Sequence, residues 1–171
     1  MIPSTCDLYD RFEDEARVIG AQFRDFGGRR AFAGEAVTVK CFEDNSRIKE
    51  LLDQPGVGKV LLVDGGGSMR CALMGDMIAK AAVKNGWEGV IVHGCVRDVM
   101  ELARLDLGIK ALGTTPRKST KRGEGSVGIV VGLGGAQIEN ADYVVADEDG
   151  VLILNAAQAA TVFDAHGGQQ A

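Results

Sequence analysis

The chain has 171 residues, of which 46% are hydrophobic and 25% charged, and this composition excludes an intrinsically disordered protein. Its formal net charge of −5 gives no broad attraction for phosphate backbones, so we expect no direct nucleic-acid partner. No apolar run approaches the roughly 20 residues that span a bilayer, and Met1 is not followed by a secretory signal pattern. We expect one cytoplasmic domain over residues 1–171, without membrane attachment, whose last residues, about 165–171, form a frayed tail.

Cysteine and glycine usage narrows the class of protein further. The four cysteines show no Cys-x-x-Cys spacing of a zinc site, so we expect reduced and mostly buried thiols. The 24 glycines are about twice the usual share. They predict many tight turns and backbone amides that a ligand can approach closely.

The first elements in chain order are a helix, a strand and a second helix. A short helix is expected around Asp7–Glu13, because apolar residues recur there on one face. Alternating valines and polar residues predict a strand over Glu35–Cys41. Ser46 can cap the next helix, which ends at Gln54-Pro55.

The middle of the chain predicts buried strands that alternate with helices. Lys59–Val63 is a continuous apolar strand, and an alanine-rich helix over Met77–Lys84 ends at Asn85-Gly86. Gly89–Val92 is a second buried strand, after which a helix begins near Asp98. This order is typical of βαβ units on a parallel sheet.

The last third of the chain predicts short strands separated by turns. They are expected over Val127–Leu133, Tyr143–Ala146 and Val151–Leu154, after a basic loop over Pro116–Gly125. The sequence therefore predicts one α/β domain with a β-rich C-terminal part.

Two loops in the middle region could bind a ligand. Asp64 is followed by three glycines at a strand end, where ligands approach an open α/β sheet, although a plain tight turn explains it equally simply. Gly75, Asp76, Met77 and Ile78 lie where a helix begins, so their amides could bind a carboxylate. In the alternative interpretation Asp76 only caps its own helix.

A third candidate site follows the strand Gly89–Val92. On a helix, Asp98 and Glu101 would project from one face and could hold a hard divalent cation, while Arg97 could stabilise an oxyanion or grip a carboxylate. The alternative is an ordinary surface ion pair. We interpret His93 as a packed neutral histidine, because no triad partner is placed for it.

Long segments of the chain carry a family resemblance. They are Phe26–Ser46, VDGGGS at Val63–Ser68, LMGDMIAKAAVKNGWEGV at Leu73–Val90, HGCVRDVMEL at His93–Leu102 and VVADEDGVLIL at Val144–Leu154. These segments resemble the regulator of ribonuclease activity A family, which is similar to the class II 4-hydroxy-4-methyl-2-oxoglutarate aldolases. The resemblance implies an α/β swivelling β/β/α domain, similar to phosphohistidine domains, and a closed homotrimer.

The resemblance also implies the roles of individual residues. A small 2-oxo acid of the pyruvate type would be held by the amides of Gly75–Ile78 and by Arg97, and Asp98 would bind a divalent metal, Mg²⁺ or Mn²⁺. Asp76 matches the Asp that precedes Arg-Asp in the aldolase pattern, and Glu101 matches a further carboxylate of a related pattern. Regulators without lyase activity lack the Asp after the Arg, which this chain keeps as Asp98.

The implied activity is the metal-dependent cleavage of 4-hydroxy-4-methyl-2-oxoglutarate into two pyruvates. Oxaloacetate decarboxylation would be a side activity, because both reactions pass through a pyruvate enolate that the cation and Arg97 stabilise. The general base is not evident, and we favour a metal-bound water held by Asp76 or Glu101.

Two other functions compete with the lyase. The first is a protein regulator that binds and inhibits ribonuclease E, for which the Arg97, Asp98 and Glu101 pattern would have no physical use. The second is a methyltransferase, which we disfavour because the chain has no glycine-rich nucleotide loop followed by an acidic ribose ligand.

Overall fold

The computed structural model describes residues 1–163. The helices are α1 (Thr5–Phe12), α2 (Ser46–Leu52), α3 (Asp76–Lys84), α4 (Val99–Leu102) and α5 (Ala156–Phe163). The strands are β1 (Arg17–Val18), β2 (Arg24–Asp25), β3 (Phe32–Lys40), β4 (Lys59–Asp64), β5 (Ala72–Met74), β6 (Gly89–Val96), β7 (Gly108–Thr114), β8 (Ser126–Val127), β9 (Val131–Leu133), β10 (Ala136–Ile138), β11 (Tyr143–Ala146) and β12 (Val151–Leu154).

A mixed ten-stranded sheet organises these elements. Its main path runs β1-β12-β11-β3-β4-β6-β7-β2. The central strands β3, β4, β6 and β7 are parallel, as the predicted βαβ units require. Strand β5 extends the sheet beside the end of β6, β8 pairs with the end of β3, and β9 with β10 forms a separate hairpin. The predicted α/β class is confirmed.

The apolar strands at the centre of the sheet bury both of their faces. Leu61 and Val63 point to the side that carries α2 and α3, where Ile48 and Ala79 pack. Leu62 points to the other side, toward β11 and the β9–β10 hairpin. A continuous apolar run is therefore the expected pattern for these strands, because neither face meets water.

Several elements differ from the sequence-based expectation. The predicted strand Val127–Leu133 is wrong as one element, because it divides into β8 and β9 at Gly128, whose φ is +73°. Ser46 is the first residue of α2 and not its cap, and its amide donates a hydrogen bond to Asp44 Oδ1 at 2.9 Å. Strand β6 runs four residues further than predicted, to Val96, and this extension carries the chain to the candidate site.

The sequence patterns did not predict strand β7 or helix α5. Strand β7 contains Lys110, which is only 2% exposed and whose Nζ donates a hydrogen bond to Asp25 Oδ1 at 2.8 Å. A buried lysine interrupts the apolar pattern from which a strand is predicted.

Other expectations concern the thiols, the membrane and the end of the chain. All four cysteines are free, and Cys41, Cys71 and Cys95 are buried, as predicted. Among the described residues, no helix has the length and apolar character needed to cross a bilayer. The predicted tail at 165–171 lies outside the described residues.

Candidate active site

A small cavity opens where α3 begins, between the ends of β5 and β6 and the basic loop. Its volume is about 130 Å³, well below the roughly 300–1,000 Å³ of sites for drug-sized ligands. It is lined by Asn45, Ala72, Gly75, Asp76, Met77, Ile78, Arg97, Asp98, Lys118, Ser119 and Lys121. The cavity therefore suits a small ligand, and it contains two of the three predicted loops.

The first wall of the cavity is the N-terminus of α3. Gly75 has an extended backbone and precedes the first helical residue, and as a glycine it has no side chain that could cap the helix. A Cβ atom at Gly75 would lie 2.5 Å from Asp98 Oδ2, so only glycine allows this approach. The amides at this helix end and the positive end of the helix dipole form an anion site, in which the Asp76 amide already donates to the Asp98 carboxylate.

Asp76 does not cap its own helix, which was the alternative interpretation. Its carboxylate accepts a hydrogen bond from Lys80 Nζ at 2.7 Å. This hydrogen bond is the main reason why the pKa of Asp76 lies below its usual range. Asp76 therefore stays ionised and faces the cavity rim as half of an ion pair.

The second wall comes from the residues that follow β6. The Arg97 amide donates a hydrogen bond to the Met74 carbonyl at 3.0 Å, which ties the end of β6 to β5. Arg97 Nη1 donates to the Pro116 carbonyl at 3.3 Å, and Arg97 Nε lies 3.7 Å from Asp98 Oδ2. The guanidinium is thus held at the cavity wall with two-thirds of its side chain buried.

Asp98 adopts a left-handed backbone, with φ +59° and ψ +40°, and precedes α4. Such conformations cost roughly 1–3 kcal/mol for residues other than glycine and cluster at functional sites. Asp98 Oδ2 accepts a hydrogen bond from the Asp76 amide at 3.2 Å, which joins the two walls.

Glu101 lies outside the cavity lining. The prediction that Asp98 and Glu101 share one helical face is wrong, because Asp98 is outside α4. The Glu101 carboxylate instead accepts a hydrogen bond from Arg104 Nη1 at 3.3 Å.

The third wall consists of residues that the sequence did not single out. Lys118, Ser119 and Lys121 come from the basic loop, and Asn45 comes from the start of α2. Asn45 Oδ1 and Ser119 Oγ are buried and have no hydrogen-bond partner among the described residues. Because buried polar atoms are normally paired, these two atoms indicate a place for a ligand or water. The basic character of the loop was the available signal, but nothing local connects it to the other walls.

The charge of the cavity favours an anion. Arg97, Lys118 and Lys121 are its cations, and Asp76 and Asp98 are its carboxylates. Because Lys80 pairs with Asp76, the remaining positive charge exceeds the negative charge.

The carboxylates also decide which metal could fit. Within residues 1–163 no cluster of three His, Cys, Asp or Glu side chains forms a metal cage. Asp98, with Asp76 beside it, is an all-oxygen donor set, which suits a hard cation such as Mg²⁺ that keeps several waters and takes substrate oxygens as further ligands.

The other predicted residues lie away from the cavity. Asp64 Oδ1 accepts a hydrogen bond from the Gly66 amide at 3.0 Å, so this glycine-rich segment is a tight turn. His93 is half-buried, and its ring meets the edge of Phe23 at a centroid distance of 6.5 Å. His93 Nδ1 is buried without a hydrogen-bond partner among the described residues.

Comparison with known proteins places this chain in a family. A family model described as "RraA-like: Aldolase/RraA" matches residues 5–153. A protein of Alkalilimnicola ehrlichii is 55% identical over 152 residues, which cover 89% of this chain and 94% of the relative. A protein of Acinetobacter baylyi is 53% identical over 155 residues, which cover 87% of this chain and 91% of the relative. Both bear the name "Putative 4-hydroxy-4-methyl-2-oxoglutarate aldolase".

Solved structures agree with this assignment. The RNA-processing inhibitor RraA from Thermus thermophilis superposes with a TM-score of 0.87 at 43% identity, covering 90% of this chain and 93% of that one. A Geobacillus kaustophilus structure described as an S-adenosylmethionine: 2-dimethylmenaquinone methyltransferase superposes with a TM-score of 0.88 at 45% identity. The match covers 90% of this chain and 95% of that one. The family resemblance predicted from sequence is confirmed, and the chain belongs to the aldolase/RraA family.

Proposed function

We propose that this chain is a divalent-metal-dependent lyase of the cytoplasm that cleaves 4-hydroxy-4-methyl-2-oxoglutarate into two pyruvates and also decarboxylates oxaloacetate. The observation that carries the proposal is the meeting of Arg97 and Asp98 with the N-terminus of α3 in one small, cationic cavity. The name shared by relatives at 50–55% identity supports the same activity.

Substrate binding begins with the carboxylate next to the 2-oxo group. The amides of Gly75–Ile78 stand at the positive end of α3 and would donate hydrogen bonds to it, except that of Asp76, which donates to Asp98 Oδ2. Lys118 and Lys121 add positive charge on the opposite wall and suit the second carboxylate of a 2-oxo diacid.

Arg97 would act on the charge that develops during bond cleavage. Breaking the C3–C4 bond leaves the electron pair on the pyruvate fragment, with negative charge on the 2-oxo oxygen. A guanidinium held in place by Pro116 stabilises this oxygen without reorganising, which is the main source of such catalysis. Decarboxylation of oxaloacetate develops the same charge, so one site serves both reactions.

Asp98 would hold the metal, Mg²⁺ or Mn²⁺, with Asp76 and Glu101 acting through water at greater distance. When bound, the cation supplies Lewis-acid polarisation of the 2-oxo group. Because the low pKa makes Asp76 a poor proton acceptor, we assign it the task of orienting the water that takes the C4 hydroxyl proton. The reaction balances when that water returns a proton to C3 of the enolate.

The direct test is pyruvate release from 4-hydroxy-4-methyl-2-oxoglutarate and from oxaloacetate. Mg²⁺ or Mn²⁺ should support both reactions, EDTA should abolish both, and added metal should restore them. Turnover that EDTA leaves unchanged, or no release from either substrate, would overturn the proposal.

We also propose a closed homo-oligomer, most simply a trimer. Met77 on α3 and Met100 on α4 are 81% and 71% exposed, and the helices that carry them pack together beside the cavity. Exposed apolar side chains beside a site are typical of a surface that a second subunit covers. Light scattering that finds a monomer at micromolar concentration would contradict this.

A second function, regulation of ribonuclease E, is favoured by the Thermus relative named as an RNA-processing inhibitor. We expect such binding to rest on surface complementarity and to be independent of the metal. A pull-down in which EDTA or Asp98→Ala abolishes nuclease binding would contradict this separation.

A further inference from the structure

We propose that Asp44 is a positioning residue that holds the basic loop in the form the active site needs, although Asp44 itself is not part of the cavity. This inference rests on the proposed function, because the loop supplies Lys118, Ser119 and Lys121 to the cavity.

Asp44 is wholly buried, with 0% of its surface exposed. Its Oδ1 accepts a hydrogen bond from the Ser46 amide at 2.9 Å. Its Oδ2 accepts from the Arg122 amide and lies 3.3 Å from Thr120 Oγ1, whose single proton it shares with the Glu43 carbonyl at 2.9 Å. The carboxylate therefore joins the start of α2 to the loop, a connection across more than 70 residues of sequence.

The ionised form of Asp44 is the one that these contacts stabilise. Burial works to raise its pKa, but the hydrogen bonds from Ser46, Arg122 and Thr120 outweigh burial and lower the pKa of Asp44 to about 2. A buried charge that accepts several hydrogen bonds is costly to neutralise and contributes strongly to local order.

The position of these contacts gives Asp44 its influence on the site. Thr120 and Arg122 flank Lys121, while Asn45 directly follows Asp44 in the chain. The Asp44 carboxylate thus fixes cavity residues in both segments, Asn45 at the start of α2 and Lys121 in the basic loop. Loss of this carboxylate should displace both residues together.

Apolar burial does little to hold this loop. Every residue from 120 to 130 is exposed. Its other attachments are hydrogen bonds as well. They include those from the Thr120 amide to the Glu43 carbonyl at 2.8 Å, from the Asn45 amide to the Thr120 carbonyl at 3.2 Å, from the Ala72 amide to the Arg117 carbonyl at 2.8 Å and from the Gly123 amide to Ser46 Oγ at 2.9 Å. Hydrogen bonds to a charged acceptor are the stronger kind, so removing the Asp44 charge should loosen the loop first.

Trypsin tests the structural half of the proposal, because the loop offers Arg117, Lys118, Lys121 and Arg122 as cleavage sites. In Asp44→Asn, the charge is lost and the single remaining oxygen can accept from the Arg122 amide or from the Ser46 amide but not from both, so we expect cleavage at these sites about tenfold faster than in the wild type.

The matched control is Asp147→Asn. Asp147 is also buried, and it accepts hydrogen bonds from the Thr5 amide and Thr5 Oγ1, both at 2.7 Å, so that it tethers α1 instead of the loop. In Asp147→Asn, trypsin should cleave the basic loop at the wild-type rate.

Steady-state kinetics with oxaloacetate test the functional half. Asp44→Asn should raise KM about tenfold, because the displaced groups bind substrate, and should leave kcat within about twofold, because Arg97 and Asp98 are untouched. Asp147→Asn should leave both constants unchanged.

Equal loop cleavage in Asp44→Asn and wild type would overturn the proposal, and so would faster cleavage with an unchanged KM. If Asp44→Asn does not fold, Thr120→Val replaces it: faster loop cleavage with a raised KM supports the proposal, and wild-type behaviour overturns it. A wild-type protein without lyase activity would refute the proposed function, whereas trypsin would still decide whether Asp44 holds the loop.

Discussion

The centre of the sheet and the rim that carries the cavity are built by opposite physical means. At the centre, Leu61, Leu62 and Ile91 are fully buried between apolar neighbours on both faces. At the rim, Asp98 has a left-handed backbone and the basic loop is attached by hydrogen bonds. Apolar burial dominates stability but has no direction, whereas recognition of an anion needs oriented donors and charges. Substitutions in the two regions should therefore affect different measurements.

The largest effect is expected from Asp98→Ala at the rim. If Asp98 binds the cation directly, its loss should reduce metal-dependent oxaloacetate turnover by more than the roughly 100-fold typical of supporting residues around a metal. Metal titration should show weakened binding while the thermal unfolding midpoint changes little. Asp106→Ala is the control, because that exposed carboxylate pairs with Arg29 and not with the cavity. Near-normal turnover in Asp98→Ala would place the site elsewhere.

Leu61→Ala should have the opposite profile. Removing a fully buried side chain from the centre of the sheet should lower the free energy of unfolding by about 2–5 kcal/mol. Denaturant unfolding measures this change, and turnover per folded molecule should stay at the wild-type level. A loss of turnover in protein that is still folded would show that the two regions are coupled.

Arg97→Lys separates catalysis from metal binding within the rim. Lysine keeps the charge but loses the planar fork of the guanidinium. We expect normal metal binding and a loss of about 2.7–4 kcal/mol of transition-state stabilisation, or roughly 10²–10³ in rate. Arg104→Lys changes an arginine that forms an exposed ion pair with Glu101, and it serves as the control. It should leave both metal binding and turnover unchanged. Equal loss in both variants would mean that Arg97 does not touch the reacting atoms.

Asp76→Ala should have the smallest effect on turnover among the three substitutions at the rim. The substrate carboxylate would be held by backbone amides, which this change keeps, so the rate loss should stay below the roughly 100-fold that removal of a direct proton-transfer group costs. A kcat and KM comparison with the wild type measures it. A loss as large as that of Asp98→Ala would instead make Asp76 a direct ligand or base.

Much of the fold was predictable because its signals are local. The apolar runs over Lys59–Val63 and Gly89–Val92 predicted strands, and Asn85-Gly86 predicted the end of α3, where Gly86 has a φ of +80°. Strand β7 was not predictable, since its buried Lys110 makes sense only beside Asp25, which is 85 residues away in sequence. A polar residue in a core can be predicted from sequence only when its partner is known.

By itself, the sequence determined the order of the central elements and the adjacency of Arg97 and Asp98 at a strand end, because strand and helix patterns repeat over a few residues. It also determined the glycine that opens α3. Only the tertiary structure brought Asn45, Ser119 and Lys121 to the same cavity and moved Glu101 away from its lining. The cavity placements depend on hydrogen bonds between distant segments, such as those of buried Asp44, which no local pattern encodes. Glu101 leaves the lining because Asp98 takes a left-handed backbone before α4.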